Sequence, residues 1–373
     1  MDQRKKIEDL LLSVLRKDNG ADKRLVCGKI ACLESDDWKR LLKAALKYRL
    51  FPAFYERLMS MKPDNLPQDF LSELRGIFAF NLKRNVLLER ESFETIRCLQ
   101  DSGIKAMPLK GPIMARYLHG DPALRRTSSD IDLLVKPENA EKAIGVLRSA
   151  GWAFAERTEG GLSYKDTLKY VGQVSLTKQT RNPLGNLCLD LHRMIFDPFM
   201  FPDQAGLWQG LRELDIDGNK AAIPSDEKLF IYFSLLSMSL DASYIYDLSV
   251  IISRYGDTLD WERIACSRDY LRSRTAVYFA VKLACELFGC EAPEAFLKKI
   301  KPGPAKETFL KIWINRKAVM ESSVKWMHRS RFSGRIWYFF ILSFLYSKDF
   351  FDCLRMICRR IYFRGEKFAV SCN

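Results

Sequence analysis

The tripeptide Asp130-Ile131-Asp132 is the first feature of this sequence that could do chemistry. It opens an apolar run that ends at Val135, and this run predicts a β-strand. Side chains alternate between the two faces of a strand, so both carboxylates would project together while Ile131 points into a core. Carboxylates about 7 Å apart on one strand face repel each other. Such pairs commonly bind a divalent cation or have a raised pKa.

Further polar residues accompany this pair. Lys110 and Gly111 end an upstream apolar run, where a turn can offer backbone N–H groups and an ammonium to phosphates. The approach to the carboxylates is basic and rich in hydroxyls, and it consists of Arg125, Arg126, Thr127, Ser128 and Ser129. Downstream, Asp190 lies within an apolar run, an unusual place for a charge unless it faces a site. Together these residues predict metal-dependent phosphoryl or nucleotidyl transfer.

The same tripeptide occurs again at Asp215-Ile216-Asp217, which shows that Asp-x-Asp alone is a weak signal. Gly218 and Asn219 follow this second copy, and an Asp-Gly pair favours a tight hairpin turn. We therefore interpret the second copy as a turn with solvated carboxylates. The neighbouring residues, not the tripeptide, give the first copy its weight.

The surrounding segments predict an α+β protein that is mostly helical. Helical periodicity covers 37–58, with a break at Pro52, and 68–100, with a C-cap at Gly103. In the middle, strands are expected at 104–109, 130–135, 170–177 and 187–192, with helices at 112–119 and 137–150. Helices resume at 225. The predicted division is an N-terminal helical region over 1–100, a small mixed-sheet core over 101–222, and a C-terminal helical region over 223–373.

Composition indicates an ordinary soluble globular protein, with 47% hydrophobic and 28% charged residues. The longest apolar run, 336–346, is shorter than the roughly 20 residues of a membrane-spanning helix. The opening residues resemble an amphipathic helix rather than an export signal, and the ten cysteines lack C-x-x-C spacing. We expect reduced thiols, no transmembrane segment and a cytoplasmic location, with peripheral membrane attachment as an alternative.

Several of these motifs together resemble a known family. The order is Leu109-Lys110-Gly111, then Arg126 and Ser129 ahead of the Asp-Ile-Asp strand, then a helix ending at Gly151-Trp152, then Leu189-Asp190-Leu191-His192. It is similar to that of the bacterial uncharacterised nucleotidyltransferase family, within the DNA polymerase β-like nucleotidyltransferase superfamily. A more distant likeness is to the abortive-infection nucleotidyltransferase toxins. The similarity covers roughly residues 35 to 295.

The resemblance implies roles for individual residues. Asp130, Asp132 and Asp190 would be the catalytic carboxylates and the ligands of Mg²⁺ or Mn²⁺. Lys110, Gly111, Arg126 and Ser129 would contact the NTP, with ATP as the favoured nucleotide. Pro112 departs from the wider superfamily, which has a second small residue after the glycine; proline removes one N–H that could reach a phosphate.

Two residues have open interpretations. His192 shares a strand face with Asp190, so it could orient the site or contact substrate, and an ordinary packed histidine is equally compatible. Asp247 lies in an apolar helix, where it could cap, pair with an arginine or touch substrate. His119 is interpreted as a helix-end residue.

The C-terminal tail combines aromatic residues with arginines over 313–364, and from Lys301 onward 15 Lys and Arg stand against five Asp and Glu. This tail could pack on the domain, lie at an anionic membrane surface, or bind nucleic acid or another polyanion. The acceptor could accordingly be a small molecule, a peptide, a protein or a tRNA. Alternatives to the enzyme are a toxin-like transferase acting on tRNA or protein, and an inactive nucleotide-binding scaffold at a membrane surface.

Overall fold

The fold is given by a computed structural model that describes residues 3–16, 21–63, 66–125, 129–155, 163–170, 172–180, 185–195, 205–267, 272–321, 341, 343–347 and 352–354. The chain forms two compact units. The first comprises 1–81, 123–126 and 226–346, and the second comprises 82–122, 127–225 and 347–373. The three-part domain division over 1–100, 101–222 and 223–373 stays a prediction.

The first unit is helical. Its N-terminal helices are α1 (Gln3–Leu15), α2 (Ala21–Ala31), α3 (Ser35–Lys47), α4 (Phe51–Met61) and the first part of α5 (Gln68–Asp101). Its later helices are α9 (Asp226–Ser237), α10 (Ala242–Tyr255), α11 (Trp261–Cys266), α12 (Arg274–Phe288), α13 (Glu294–Ile300), α14 (Pro304–Trp313) and α15 (Arg316–Glu321). The predicted break at Pro52 is confirmed, because α4 restarts with this proline in its first turn, where a missing N–H costs nothing.

The second unit holds the sheet. Its elements after α5 are β1 (Ala106–Pro108), α6 (Pro112–His119), β2 (Ile131–Val135), α7 (Ala140–Ser149), β3 (Ala153–Phe154), α8 (Tyr164–Tyr170), β4 (Gln173–Lys178), β5 (Leu187–His192), β6 (Arg212–Ile216) and β7 (Asn219–Ile223). Five strands form a mixed sheet in the order β1-β2-β5-β4-β3, in which only β2 and β5 are parallel. Strands β6 and β7 form a separate hairpin. The predicted α+β class, mostly α, is confirmed.

One face of the sheet is apolar. Alternate residues of β2, β4 and β5 enter a core cluster that also includes side chains from α5 and α7. The cluster residues from these three strands are Ile131, Leu133, Val135, Val174, Leu176, Leu187, Leu189 and Leu191. Because side chains alternate, Asp132, Ser175, Asp190 and His192 belong to the opposite face. The apolar packing therefore fixes the register that places the polar residues.

Sequence-based boundaries agree in most places. The C-cap at Gly103 is confirmed: its φ is +74°, and Ile104 donates from its N–H to the Leu99 carbonyl in a Schellman turn. The strand predicted at 170–177 begins instead at Gln173, because Tyr170 ends the unpredicted helix α8. The helix predicted from Pro137 starts with a short 3₁₀ turn and becomes α-helical only at Ala140.

Most of the tail 313–364, including the arginines proposed for lipid or nucleic-acid contact, lies outside the described residues. Within the described ranges, none of the helices is long and apolar enough to cross a membrane. The eight cysteines in those ranges are free thiols, and their reduced state in the cell stays a prediction.

Candidate active site

The polar face of the sheet brings three functional side chains into one row. Strands β2 and β5 pair so that Asp132 lies opposite Asp190, and β4 and β5 pair so that Ser175 lies opposite Asp190. His192 is two residues further along β5, opposite Leu134. Neighbouring strands are about 4.8 Å apart, so a carboxylate, a second carboxylate and a hydroxyl lie side by side.

Asp132 is the most buried member of the row, with 1% of its surface exposed. Its Oδ1 lies 2.7 Å from Lys110 Nζ and 3.0 Å from His192 Nε2. Burial alone would raise the pKa of Asp132, but the hydrogen bond with His192 and the charge of Lys110 outweigh it and lower this pKa. The structure therefore keeps Asp132 ionised by pairing it twice.

Asp190 has the opposite tendency. It is half-buried, and Ser175 Oγ donates to its Oδ1 at 2.5 Å. Burial raises the pKa of Asp190, the negative charges of Asp132 and Asp130 raise it further, and the Ser175 hydrogen bond opposes the rise. Two neighbouring carboxylates with pKa values displaced in opposite directions are suited to different tasks, one as a permanent anion and one as a proton acceptor.

The Lys-Gly turn places Lys110 against Asp132. Leu109 donates from its N–H to the Asp132 carbonyl at 3.1 Å, which ties the turn to β2. Gly111 follows with φ +84° and ψ −159°, a conformation essentially restricted to glycine, and it is the N-cap of α6. Pro112 then occupies the first helical turn, where proline is favoured. Lys110 thus contacts a carboxylate of the site, and its proposed contact with the triphosphate stays a prediction.

The remaining predicted site residues have different placements. Asp130 precedes β2 rather than belonging to it, and Ser129 Oγ donates to its Oδ1 at 3.0 Å. Arg126 lies outside the described residues. The roles assigned to these three residues remain predictions.

The interpretation of the second copy agrees with the structure. Asp217 and Gly218 form the two-residue turn between β6 and β7, both with positive φ, +52° and +83°. The Gly218 N–H donates to Asp215 Oδ1 at 2.9 Å, and the Asp217 side chain is 81% exposed. The Asp215 carboxylate thus stabilises a type I′ turn, and the Asp217 carboxylate is solvated.

Asp247 and His119 do not belong to this row. Asp247 is on α10 in the first unit, where its Oδ2 accepts a hydrogen bond from Arg125 Nε at 3.0 Å. Both side chains are at most 3% exposed, so the pairing alternative is the one observed. His119 ends α6, as expected.

The donor set fits a divalent metal ion. Asp132, Asp190 and His192 each offer one ligand atom, and these atoms lie within 4.8 Å of one another. Within the described ranges, this group is the one that brings three carboxylate, thiol or imidazole ligands together, and Asp130 is not a member. Two carboxylates and one imidazole are ordinary ligands of a catalytic divalent cation.

The comparisons agree with this geometry. A family model described as an uncharacterised nucleotidyltransferase matches residues 34–289, well over half of the chain. The chain belongs to this uncharacterised nucleotidyltransferase family. It is therefore an enzyme of the nucleotidyltransferase class, and the expected resemblance is confirmed over nearly the predicted range.

Other relatives are remote. No curated protein matches the chain. A solved structure, an antigenic nucleotidyltransferase-like protein from Paracoccidioides brasiliensis, is 16% identical to this family member. The match covers 59% of this chain and 92% of the other, with a TM-score of 0.35.

Ser175 was missed by sequence reasoning. A serine at an alternate position of a strand is an ordinary solvent-facing residue, and its partner Asp190 is 15 residues away. The available signal was the alternation of β4, which places Ser175 between the core residues Val174 and Leu176 and hence on the other face.

Proposed function

We propose that the chain transfers a nucleoside monophosphate from an NTP, with ATP favoured, to a hydroxyl or phosphate group of an acceptor. An acceptor oxygen would form a bond to the α-phosphorus, the bond from that phosphorus to the bridging oxygen would break, and pyrophosphate would leave. The observation that carries this proposal is the in-register pair of Asp132 and Asp190. Lys110 and His192 both contact the Asp132 carboxylate.

Asp132, Asp190 and His192 would hold the divalent ion, Mg²⁺ or Mn²⁺, which when bound would neutralise phosphate charge and activate the acceptor oxygen. Asp130 would add a further carboxylate. Lys110 would move its ammonium from Asp132 to the triphosphate, where it would balance the charge that develops on the leaving pyrophosphate. Gly111, Ser129 and Arg126 would contact the nucleotide.

Asp190 would accept the proton from an acceptor hydroxyl. Its half-buried position and raised pKa suit a proton acceptor better than the doubly paired Asp132. Ser175 would hold the Asp190 carboxylate in a fixed rotamer through its hydrogen bond. Asp190 and Ser175 belong to the same sheet face as Asp132 and His192, and they are already in contact.

The test is label transfer. The protein would be incubated with a cell lysate, Mg²⁺ or Mn²⁺, and each NTP labelled at the α-phosphate, with parallel samples labelled at the γ-phosphate. Label from the α-phosphate alone, with pyrophosphate released, is the expected result. Transfer of the γ-label would instead indicate a kinase, and no transfer with any NTP would contradict the proposal.

A further inference from the structure

His192 lies where a metal ligand would be expected, which sets it apart from an ordinary packed histidine. Its side chain is 9% exposed, and it belongs to the polar face of β5 together with Asp190. Its Nε2 approaches the Asp132 carboxylate at 3.0 Å, so this nitrogen faces the two carboxylates rather than the apolar cluster on the other face. The three converging ligand atoms are thus two oxygens and one nitrogen.

The nitrogen changes which ion the site prefers. Mg²⁺ takes oxygen ligands almost exclusively and keeps several waters. Imidazole suits first-row transition ions, whose affinity for a nitrogen-containing site exceeds that of a hard cation. Mn²⁺ has the same octahedral, oxygen-rich coordination as Mg²⁺, but as a first-row transition ion it also accepts an imidazole nitrogen.

We propose that His192 is a direct metal ligand through Nε2 and determines a preference for Mn²⁺ over Mg²⁺. This inference rests on the proposed function for the role of the ion in catalysis. The preference between the two ions follows from the chemistry of the three ligand atoms alone. On binding the ion, His192 Nε2 would give up its hydrogen bond with Asp132 and present a lone pair, so His192 would be the neutral imidazole with its hydrogen on Nδ1.

A second role for His192 would predict a different outcome. If His192 only orients Asp132 by a hydrogen bond, the ligands of the ion would all be oxygen atoms in every variant. Removal of the imidazole would then weaken the binding of Mn²⁺ and of Mg²⁺ to the same degree. The ratio of the two affinities therefore separates a ligand from a positioning residue.

The experiment uses the nucleotide-free full chain and its His192→Gln variant. Glutamine is of similar length and replaces the nitrogen donor with a neutral oxygen donor. His119→Gln, on α6, is the matched control, since it removes another histidine outside the converging ligand group. Calorimetry would measure Mn²⁺ and Mg²⁺ dissociation constants, and pulsed electron paramagnetic resonance of bound Mn²⁺ would detect coupling to a directly bound nitrogen.

We expect nitrogen coupling in the wild-type protein and in His119→Gln, and its loss in His192→Gln. The Mn²⁺-to-Mg²⁺ affinity ratio should fall by about tenfold in His192→Gln and stay unchanged in the control. Wild-type protein without nitrogen coupling, or an unchanged ratio in His192→Gln, would overturn the inference. Nitrogen-coupled Mn²⁺ in a protein that transfers no nucleotide would leave the inference intact and contradict the proposed function instead.

Discussion

The two Asp-Ile-Asp tripeptides have the same residues and opposite surroundings. In the first copy, Asp132 lies inside a five-stranded sheet, is 1% exposed, and has two nitrogen partners on one oxygen. In the second, Asp217 lies in a two-residue turn and is 81% exposed. Buried charges interact strongly because little water screens them, whereas exposed charges are screened and contribute little. The first copy is a candidate site because Asp132 is buried and has two nitrogen partners; the tripeptide alone does not make it one.

The cations of the two copies differ in the same way. Lys110 Nζ lies 2.7 Å from Asp132 Oδ1, and this lysine is 19% exposed. Arg116 is 3.5 Å from Asp217 Oδ2 and also pairs with Glu89, a partner that does not belong to the tripeptide. Arg116 donates to both carboxylate oxygens of the buried Glu89, so Asp217 is its longer and more exposed contact. The second copy thus offers matched controls for the residues of the first.

The largest effect should come from neutralising the buried carboxylate. Asp132→Asn should reduce nucleotide transfer on the order of 10³-fold, because several kcal/mol of transition-state stabilisation depend on this anion. Asp217→Asn should leave the rate unchanged. Label transfer from α-labelled NTP measures both, with circular dichroism to verify folding. Equal activity of the two variants would remove the distinction between the copies.

Removal of the cations should give the next largest effect. Lys110→Met should lower kcat/KM for the NTP by about 10²-fold, as expected for the loss of one charged group at the reacting phosphates. Arg116→Met should stay within about twofold, since Arg116 pairs with Glu89 and Asp217 and neither of these belongs to the converging ligand group. Steady-state kinetics with varied NTP would measure both effects. If Lys110→Met retained wild-type kinetics, Lys110 would be only a structural partner of Asp132.

The pH dependence of metal-free stability should separate Asp132 from Asp190. Asp132 has a lowered pKa, so its ionisation stabilises the fold above its unfolded value, and this contribution is lost as pH falls through the lowered value. Asp190 has a raised pKa, so its ionisation opposes folding as pH rises above its unfolded value. Asp132→Asn should therefore destabilise the protein at pH 7, by about 3 kcal/mol for a broken buried pair. Asp190→Asn should stabilise it.

Urea unfolding at several pH values would check these signs. The Asp190→Asn difference should shrink first, as the pH falls through the raised pKa of Asp190 toward about 4. The Asp132→Asn difference should shrink only below about 4, as the pH falls through the lowered pKa of Asp132. Destabilisation by Asp190→Asn at pH 7 would show that its hydrogen bond with Ser175 outweighs the cost of its buried charge.

The smallest effect is expected at the hairpin of the second copy. Gly218→Ala forces a side chain into φ +83° and should cost about 1 kcal/mol of unfolding free energy. Asp217→Asn should change the free energy of unfolding by only about 0.3 kcal/mol, because asparagine also adopts positive φ. Neither variant should alter nucleotide transfer. Loss of transfer in Gly218→Ala would connect the hairpin to the site.

Much of the architecture was predictable from periodic patterns. The alternation of Leu187, Leu189 and Leu191 specified β5 and the face of Asp190, and Asp-Gly specified the hairpin turn. These features are local, so the sequence specifies them with few alternatives. Helix α8 was not predicted, and the strand predicted at 170–177 included its last residue, Tyr170.

Contacts of the site were less predictable. The sequence identified Lys110 as a phosphate-binding residue, whereas the structure pairs it with Asp132, 22 residues away. Likewise, His192 had two compatible interpretations, since alternation specifies a face but not the atom that a ring nitrogen meets. Such contacts depend on the register between strands that are distant in sequence.

The parallel pairing of β2 and β5 also determines when this site can form during folding. Residues 131–134 and 189–192 meet only after more than 50 intervening residues have closed into a loop, and distant pairings of this kind form slowly. The hairpin β6–β7 needs only a two-residue closure and can form early. A refolding chain should thus acquire its second Asp-Ile-Asp turn well before its first copy can capture an ion. The time at which metal affinity is recovered during refolding would then show when the central sheet is complete.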